Sequence, residues 1–184
     1  AAVLVCAAGV FAASMTSQAN RSYFIDSVKL WTGNDVQVDI DNIKEGDENS
    51  KEEEKVFDLI ENELKVQMPT FVYRPAQFKF YEYQLNTIAE KANLEYEYKD
   101  TIIAFYVDNK AKISLGESMS LHGKHIDTFY SKEDNIEFSI LEIQDEKDEK
   151  PSYAAQWVWN NTFYQLSGKI EREQIMKIIE NIVY

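Results

Sequence analysis

The chain has 184 residues, with 32 acidic against 19 basic side chains and a formal net charge of −13. That balance argues against nucleic acid and against anionic lipid headgroups as partners, because both call for a basic surface. The single cysteine, Cys6, leaves no internal disulfide, and a domain of roughly 160 residues is large enough to build its own core without one.

The chain opens on Ala1 to Met15, AAVLVCAAGVFAASM, which carries no charge. At about 1.5 Å per residue such a helix covers roughly 22 Å, short of a bilayer core of about 30 Å. Residues 1–19 therefore read as the end of a membrane-inserting segment. One reading is a transmembrane anchor emerging at Thr16 to Arg21; the other is a signal peptide cleaved near Ala19, after the small-x-small pattern Ser17-Gln18-Ala19. Either way the rest of the chain is expected on the extracytoplasmic side, anchored or secreted, with the membrane touched only through this segment.

Residues 20–52 read as a juxtamembrane segment and acidic linker. Phe24, Val28 and Trp31 have helical spacing, Gly33-Asn34-Asp35 breaks it, and Val36, Val38 and Ile40 alternate as a strand. The run Glu45 to Glu54 then carries much of the negative charge.

The domain proper is expected over 53–184. Ser50 and Glu53 form a capping-box pattern ahead of a helix over 53–66, whose stripe is Val56, Phe57, Ile60 and Leu64. Pro69 to Pro75 reads as extended connection. From Phe78 the period changes to two, predicting strands at 78–86, 93–99, 101–107, 124–130, 135–143, 153–160 and 162–167. Lys99-Asp100 and Asn160-Asn161 suit two-residue hairpins, so pairing is expected to be mostly antiparallel. Ile175, Ile178, Ile179 and Ile182 give a closing helix over about 171–182 its apolar stripe. The sum is one α+β domain: a bent, mostly antiparallel sheet of about six to seven strands packed by two helices.

Motifs for chemistry are sparse. His122 and His125 flank a Gly-Lys pair in a turn context, without the further ligands zinc needs. No nucleophile elbow and no glycine-rich phosphate loop occur. Glu95 and Glu97 share one strand face, and paired carboxylates can move protons; a solvated face explains them equally. No catalytic, cofactor-binding or metal-binding residue is assigned. The densest aromatic group, Tyr153, Trp157, Trp159 and Tyr164, forms either a candidate interaction surface or a hairpin packed beneath the last helix.

The last third carries a recognisable pattern: Tyr153-Ala-Ala-Gln-Trp157, then Trp159-Asn-Asn-Thr-Phe-Tyr164-Gln-Leu166-Ser-Gly168, then Glu173 and the isoleucine-rich helix. It resembles the C-terminal motif of the DUF4367 family, in which a tryptophan strand, a tight turn, a Tyr-x-Leu-x-Gly strand and a closing helix recur. Pro69 to Pro75 and the strand pair around Leu94 to Val107 are similar to it too, and the likeness covers roughly 55–184. The resemblance implies a domain of Gram-positive bacteria behind a single membrane span, in some members like the outer part of an anti-sigma-factor sensor. It supplies no catalytic residues. Glu171 stands where the family pattern has a Ser or Thr cap.

The expected role is a non-enzymatic sensing or interaction domain of a single-pass membrane protein, with an unknown protein as partner. The alternative is a carrier holding a small apolar ligand between sheet and helix.

Overall fold

The computed structural model describes residues 48–110, 123–132, 134–144 and 150–184. The expectations for the apolar start, the helical and strand patterns before residue 48, and His122 lie outside these residues. Among the described residues, no helix is long and apolar enough to cross a membrane.

The described chain runs α1 (Glu48–Leu64), β1 (Thr70–Phe71), β2 (Phe78–Asn86), β3 (Lys91–Tyr98), β4 (Thr101–Asp108), β5 (Lys124–Ser131), β6 (Ile136–Ile143), β7 (Ser152–Trp159), β8 (Thr162–Gly168), α2 (Arg172–Ile179) and β9 (Ile182–Val183). Seven strands form one antiparallel sheet in the order β2-β3-β4-β8-β7-β6-β5, and β1 pairs with β9 in a small second sheet. The α+β class, the single domain, and the seven long strands agree with the periodicity to within two residues at each end.

Three local readings need correction. The first helix starts at Glu48, so Ser50 and Glu53 do not form its cap; Glu53 is buried and turned toward the sheet. Pro69 to Pro75 is not wholly connection, because Thr70 and Phe71 pair with Val183 and Ile182. The last helix stops at Ile179, and Ile182 enters that small sheet rather than the helical stripe. Asn181 makes this turn: its N–H donates to the carbonyl of Ile178 (3.1 Å), and its own carbonyl accepts from the N–H of Val72 (3.0 Å).

One face of the large sheet builds the core. Val56, Ile60 and Leu64 of α1, Ile175, Ile178 and Ile179 of α2, and Phe71 and Ile182 of the small sheet all join a cluster with Tyr96, Phe105, Phe138, Trp157 and Tyr164. Trp157 sits at its centre, stacked 6.0 Å from Phe105 and 5.6 Å from Tyr164, and its indole N–H donates to the Tyr184 hydroxyl at 2.6 Å. A buried indole is stabilised when its N–H finds an acceptor, so Tyr184 completes this part of the core.

The opposite face is largely polar, although it also buries Leu141, Ile143, Ala154 and Phe163. One register row crosses all seven strands as Gln84, Asn93, Tyr106, Gln165, Gln156, Ser139 and Thr128. Gln84, Asn93, Gln165, Gln156 and Ser139 are nonetheless buried. The Gln156 amide donates to Gln165 Oε1 at 2.7 Å.

Gly168 ends β8 at a φ of 155° where an added Cβ would lie 2.8 Å from the Ile102 carbonyl oxygen and 2.7 Å from Ile103 Cδ1. Backbone cannot yield as a flexible side-chain end does. We expect Gly168→Ala to lose about 2 kcal/mol in chemical denaturation; an unchanged midpoint would show that β4 moves aside freely.

Candidate functional site

The β3–β4 turn, the start of β7 and the β8–α2 junction meet at one end of the sheet. They enclose a cleft of about 760 Å³ lined by Tyr98, Lys99, Asp100, Thr101, Lys150, Pro151, Tyr153, Lys169, Ile170, Glu171 and Arg172. Four of these are cations and two are carboxylates, in a chain whose net charge is −13. Its size falls in the range of small-ligand sites, roughly 300–1,000 Å³.

Each wall is held by its neighbours. Lys99 occupies the turn at φ 54°, which brings its ammonium 4.7 Å from the centre of the Tyr98 ring and onto Glu171 Oε1. The Tyr98 hydroxyl donates to the other oxygen of Glu171 at 2.6 Å. Glu171 is the N-cap of α2 but makes no side-chain cap bond; its carboxylate faces the cleft instead. These two donors, Lys99 first and then Tyr98, hold the Glu171 carboxyl down at about 2. The Thr101 hydroxyl ties the turn to the β8–α2 junction by donating to the Lys169 carbonyl at 3.2 Å. Arg172 pairs with Asp127 of β5 at 2.6 Å, with both side chains near half exposure. Exposed pairs of this kind contribute little to stability, on the order of 0–1 kcal/mol. Their guanidinium and ammonium groups can therefore be redirected to a ligand at small cost.

The residues singled out from the sequence divide among different places. Trp157 and Tyr164 are fully buried and belong to the core, where they follow the packing alternative rather than forming a surface. Trp159 is half-buried, its ring centre 5.0 Å from that of Tyr184. Of the four, Tyr153 alone lines the cleft, with its hydroxyl 3.4 Å from Glu142 Oε2. His125 is exposed, with Nε2 3.0 Å from the Thr128 hydroxyl. Among the described residues no group of three or more His, Cys, Asp or Glu is placed to hold a metal ion.

Glu95 and Glu97 do share a face, yet they part company: Glu97 is exposed and Glu95 is 2% exposed. The carboxyl opposite Glu95 is Glu82, its direct register partner on β2 beyond the bulge at Phe80/Glu82. Burial pushes the Glu95 carboxyl up to about 8, with the Glu82 charge adding to it. Glu82 is raised by burial as well, and its Oε2 has no hydrogen-bond partner. The sequence signal for this pair was missed because it depends on the register of β2 against β3.

No curated protein and no solved structure matches the chain. The family model described as "Domain of unknown function (DUF4367)" matches residues 68–182, from the end of the α1–β1 connection into β9. It thus covers the whole large sheet, β1 and the first residue of β9, and every residue of the cleft. The chain belongs to the DUF4367 family.

Proposed function

We propose that this is a non-enzymatic interaction domain, displayed outside a bacterial membrane by its N-terminal segment, that senses or recruits an anionic partner through the cleft at the sheet end. The observation that carries the reading is the set of Lys99, Lys150, Lys169 and Arg172 around one concavity in a strongly acidic chain. Four cations against the two carboxylates Asp100 and Glu171 leave the cleft with an excess of positive charge, and such an excess in a concavity focuses the field and steers a partner of the opposite sign. Tyr98 and Tyr153 add flat, amphipathic contact surface, which side chains of this type supply at low entropic cost. The uncharged stretch Ala1 to Met15 supports delivery to or across a membrane, as does the family's resemblance to anti-sigma-factor-like sensors.

Titration with a short polyglutamate peptide and, separately, with inorganic phosphate tests the reading by calorimetry or NMR shift mapping. Polyglutamate is expected to shift resonances of Lys99, Tyr153 and Lys169, with binding weakened at least tenfold in K169E/R172E. Salt should weaken it too, as exposed charges are screened beyond about 8 Å at physiological ionic strength. Binding of neither probe, or binding that the double substitution leaves unchanged, would refute the cleft as the recognition site.

A further inference from the structure

Glu171 stands at the N-cap of α2 with extended backbone (φ −64°, ψ 140°), yet its side chain makes no cap bond. A side-chain oxygen at an N-cap ordinarily accepts from the first-turn N–H groups and stabilises the helix. Here that stabilisation is forgone, and the carboxylate turns into the cleft. It accepts from two donors of the β3–β4 hairpin: Lys99 Nζ meets Oε1, and the Tyr98 hydroxyl donates to Oε2 at 2.6 Å.

The two sides of this contact are held very differently. Tyr98 is 3% exposed, and Lys99 sits at φ 54° in a two-residue turn whose flanks, Tyr98 and Thr101, are register partners. The Lys99 ammonium lies over the Tyr98 ring, and the Thr101 hydroxyl ties the turn to the Lys169 carbonyl. The donors are therefore fixed by the hairpin. The Glu171 side chain, by contrast, is 55% exposed and free to turn about its own single bonds. A preorganised donor pair facing a displaceable acceptor is a binding position already filled from within.

We infer, resting on the cleft as the recognition site, that its partner is an acidic peptide segment and that Glu171 is a tethered stand-in for one of that segment's carboxylates. The position suits a carboxylate because its two oxygens lie in one plane, one facing an ammonium and the other a phenol hydroxyl. An incoming carboxylate takes Lys99 and Tyr98, and Glu171 swings out to water. Lys150, Lys169 and Arg172 line the same cleft and meet further carboxylates of the segment. An exposed ion pair favours its closed form by about fivefold at most, and the charge-assisted bond from Tyr98 adds to that bias. A ligand that binds only the open form loses affinity by the same factor.

Calorimetric titration of the full chain with polyglutamate tests this. E171S removes the stand-in and leaves a serine, a favoured N-cap that keeps α2 stable; its affinity should rise at least fivefold over the parent. E173Q removes the same formal charge outside the cleft, where Glu173 pairs with Lys177, and should raise affinity less than twofold. E171S/Y98F lacks only the hydroxyl that E171S makes available to the ligand, and should bind at least threefold more weakly than E171S. A gain in E171S no larger than that of E173Q, or one that Y98F leaves intact, overturns the role of Glu171 while the cleft stands. No binding by either the parent chain or E171S overturns the cleft as recognition site, and this role with it.

Discussion

Glu95→Gln should make the folded protein more stable at pH 8 than the parent chain, by about 3 kcal/mol, with little difference between the two at pH 4. The reason is the cost of a carboxylate in this position. Glu95 is 2% exposed, faces Glu82 across the β2–β3 ladder, and has only a long contact from the Asn93 amide, at 3.4 Å. Burial first, and the Glu82 charge second, raise its carboxyl from the ordinary 4.5 to about 8. The sign follows from which state releases the proton. Below about 4.5 both folded and unfolded chains hold it, and the site costs nothing extra. Between about 4.5 and 8 the unfolded chain ionises while the folded one stays protonated, so unfolding gains with every rise in pH. Above 8 the loss is complete. The amide has no proton to give up and keeps its stability throughout. Nearby groups that titrate or carry charge are Glu82, the exposed Glu97, Lys79 opposite Glu97, and Tyr81, whose hydroxyl is raised by burial and then by Glu82, Glu97 and Glu95. Glu97→Gln removes the same formal charge from a solvated position and serves as control. Urea midpoints at pH 4, 6 and 8 decide the matter: a Glu95→Gln advantage that fails to grow with pH, or that Glu97→Gln matches, would rule out a buried, protonated Glu95.

Glu95 also illustrates what the sequence discloses and what it hides. In Leu94 to Tyr98 the alternation assigns faces correctly: Leu94, Tyr96 and Tyr98 point to the core, and Glu95 and Glu97 point away. Periodicity of two is a property of single strands, so the seven long strands were legible. Burial of the polar face is a property of the assembled sheet, and no local pattern reports it. Two-residue strands such as β1 and β9 have no period at all and exist only through their pairing. The cleft was invisible for a related reason. Its cations come from three separate turns, at Lys99, Lys150 and Lys169 to Arg172, each of which alone reads as an ordinary polar connection. Trp157 and Tyr164 show the converse limit. Their alternation was plain, but a core and an exposed platform share one pattern, and only the positions of α2 and Tyr184 decide for the core.

Glu53 is the residue whose local pattern misled most, and it carries the other large effect. Read along the chain, it completes a capping box with Ser50; in the fold it is 3% exposed and bonded to residues far away in sequence. Arg74 grips its carboxylate through two nitrogens at 2.6 and 3.0 Å, and the Tyr96 hydroxyl donates to Oε1 at 2.8 Å. Tyr96 is itself fully buried and stacked 4.6 Å from Phe78. One carboxylate thus ties α1 to the segment after β1 and to β3. Removing the cation strands the anion: Arg74→Ala should cost about 3–5 kcal/mol, because an uncompensated buried charge loses far more than the pair contributes. Glu53→Gln should cost less, about 1–2 kcal/mol, since its amide oxygen still accepts from Arg74 and Tyr96. The double variant should then recover part of the Arg74→Ala loss, a coupling of at least 1 kcal/mol in a double-mutant cycle. Additive losses would mean that Arg74 acts through its packing on the Phe71 ring, 5.9 Å from the guanidinium carbon, and not through Glu53. In that case α1 would be held to the sheet by its apolar stripe alone.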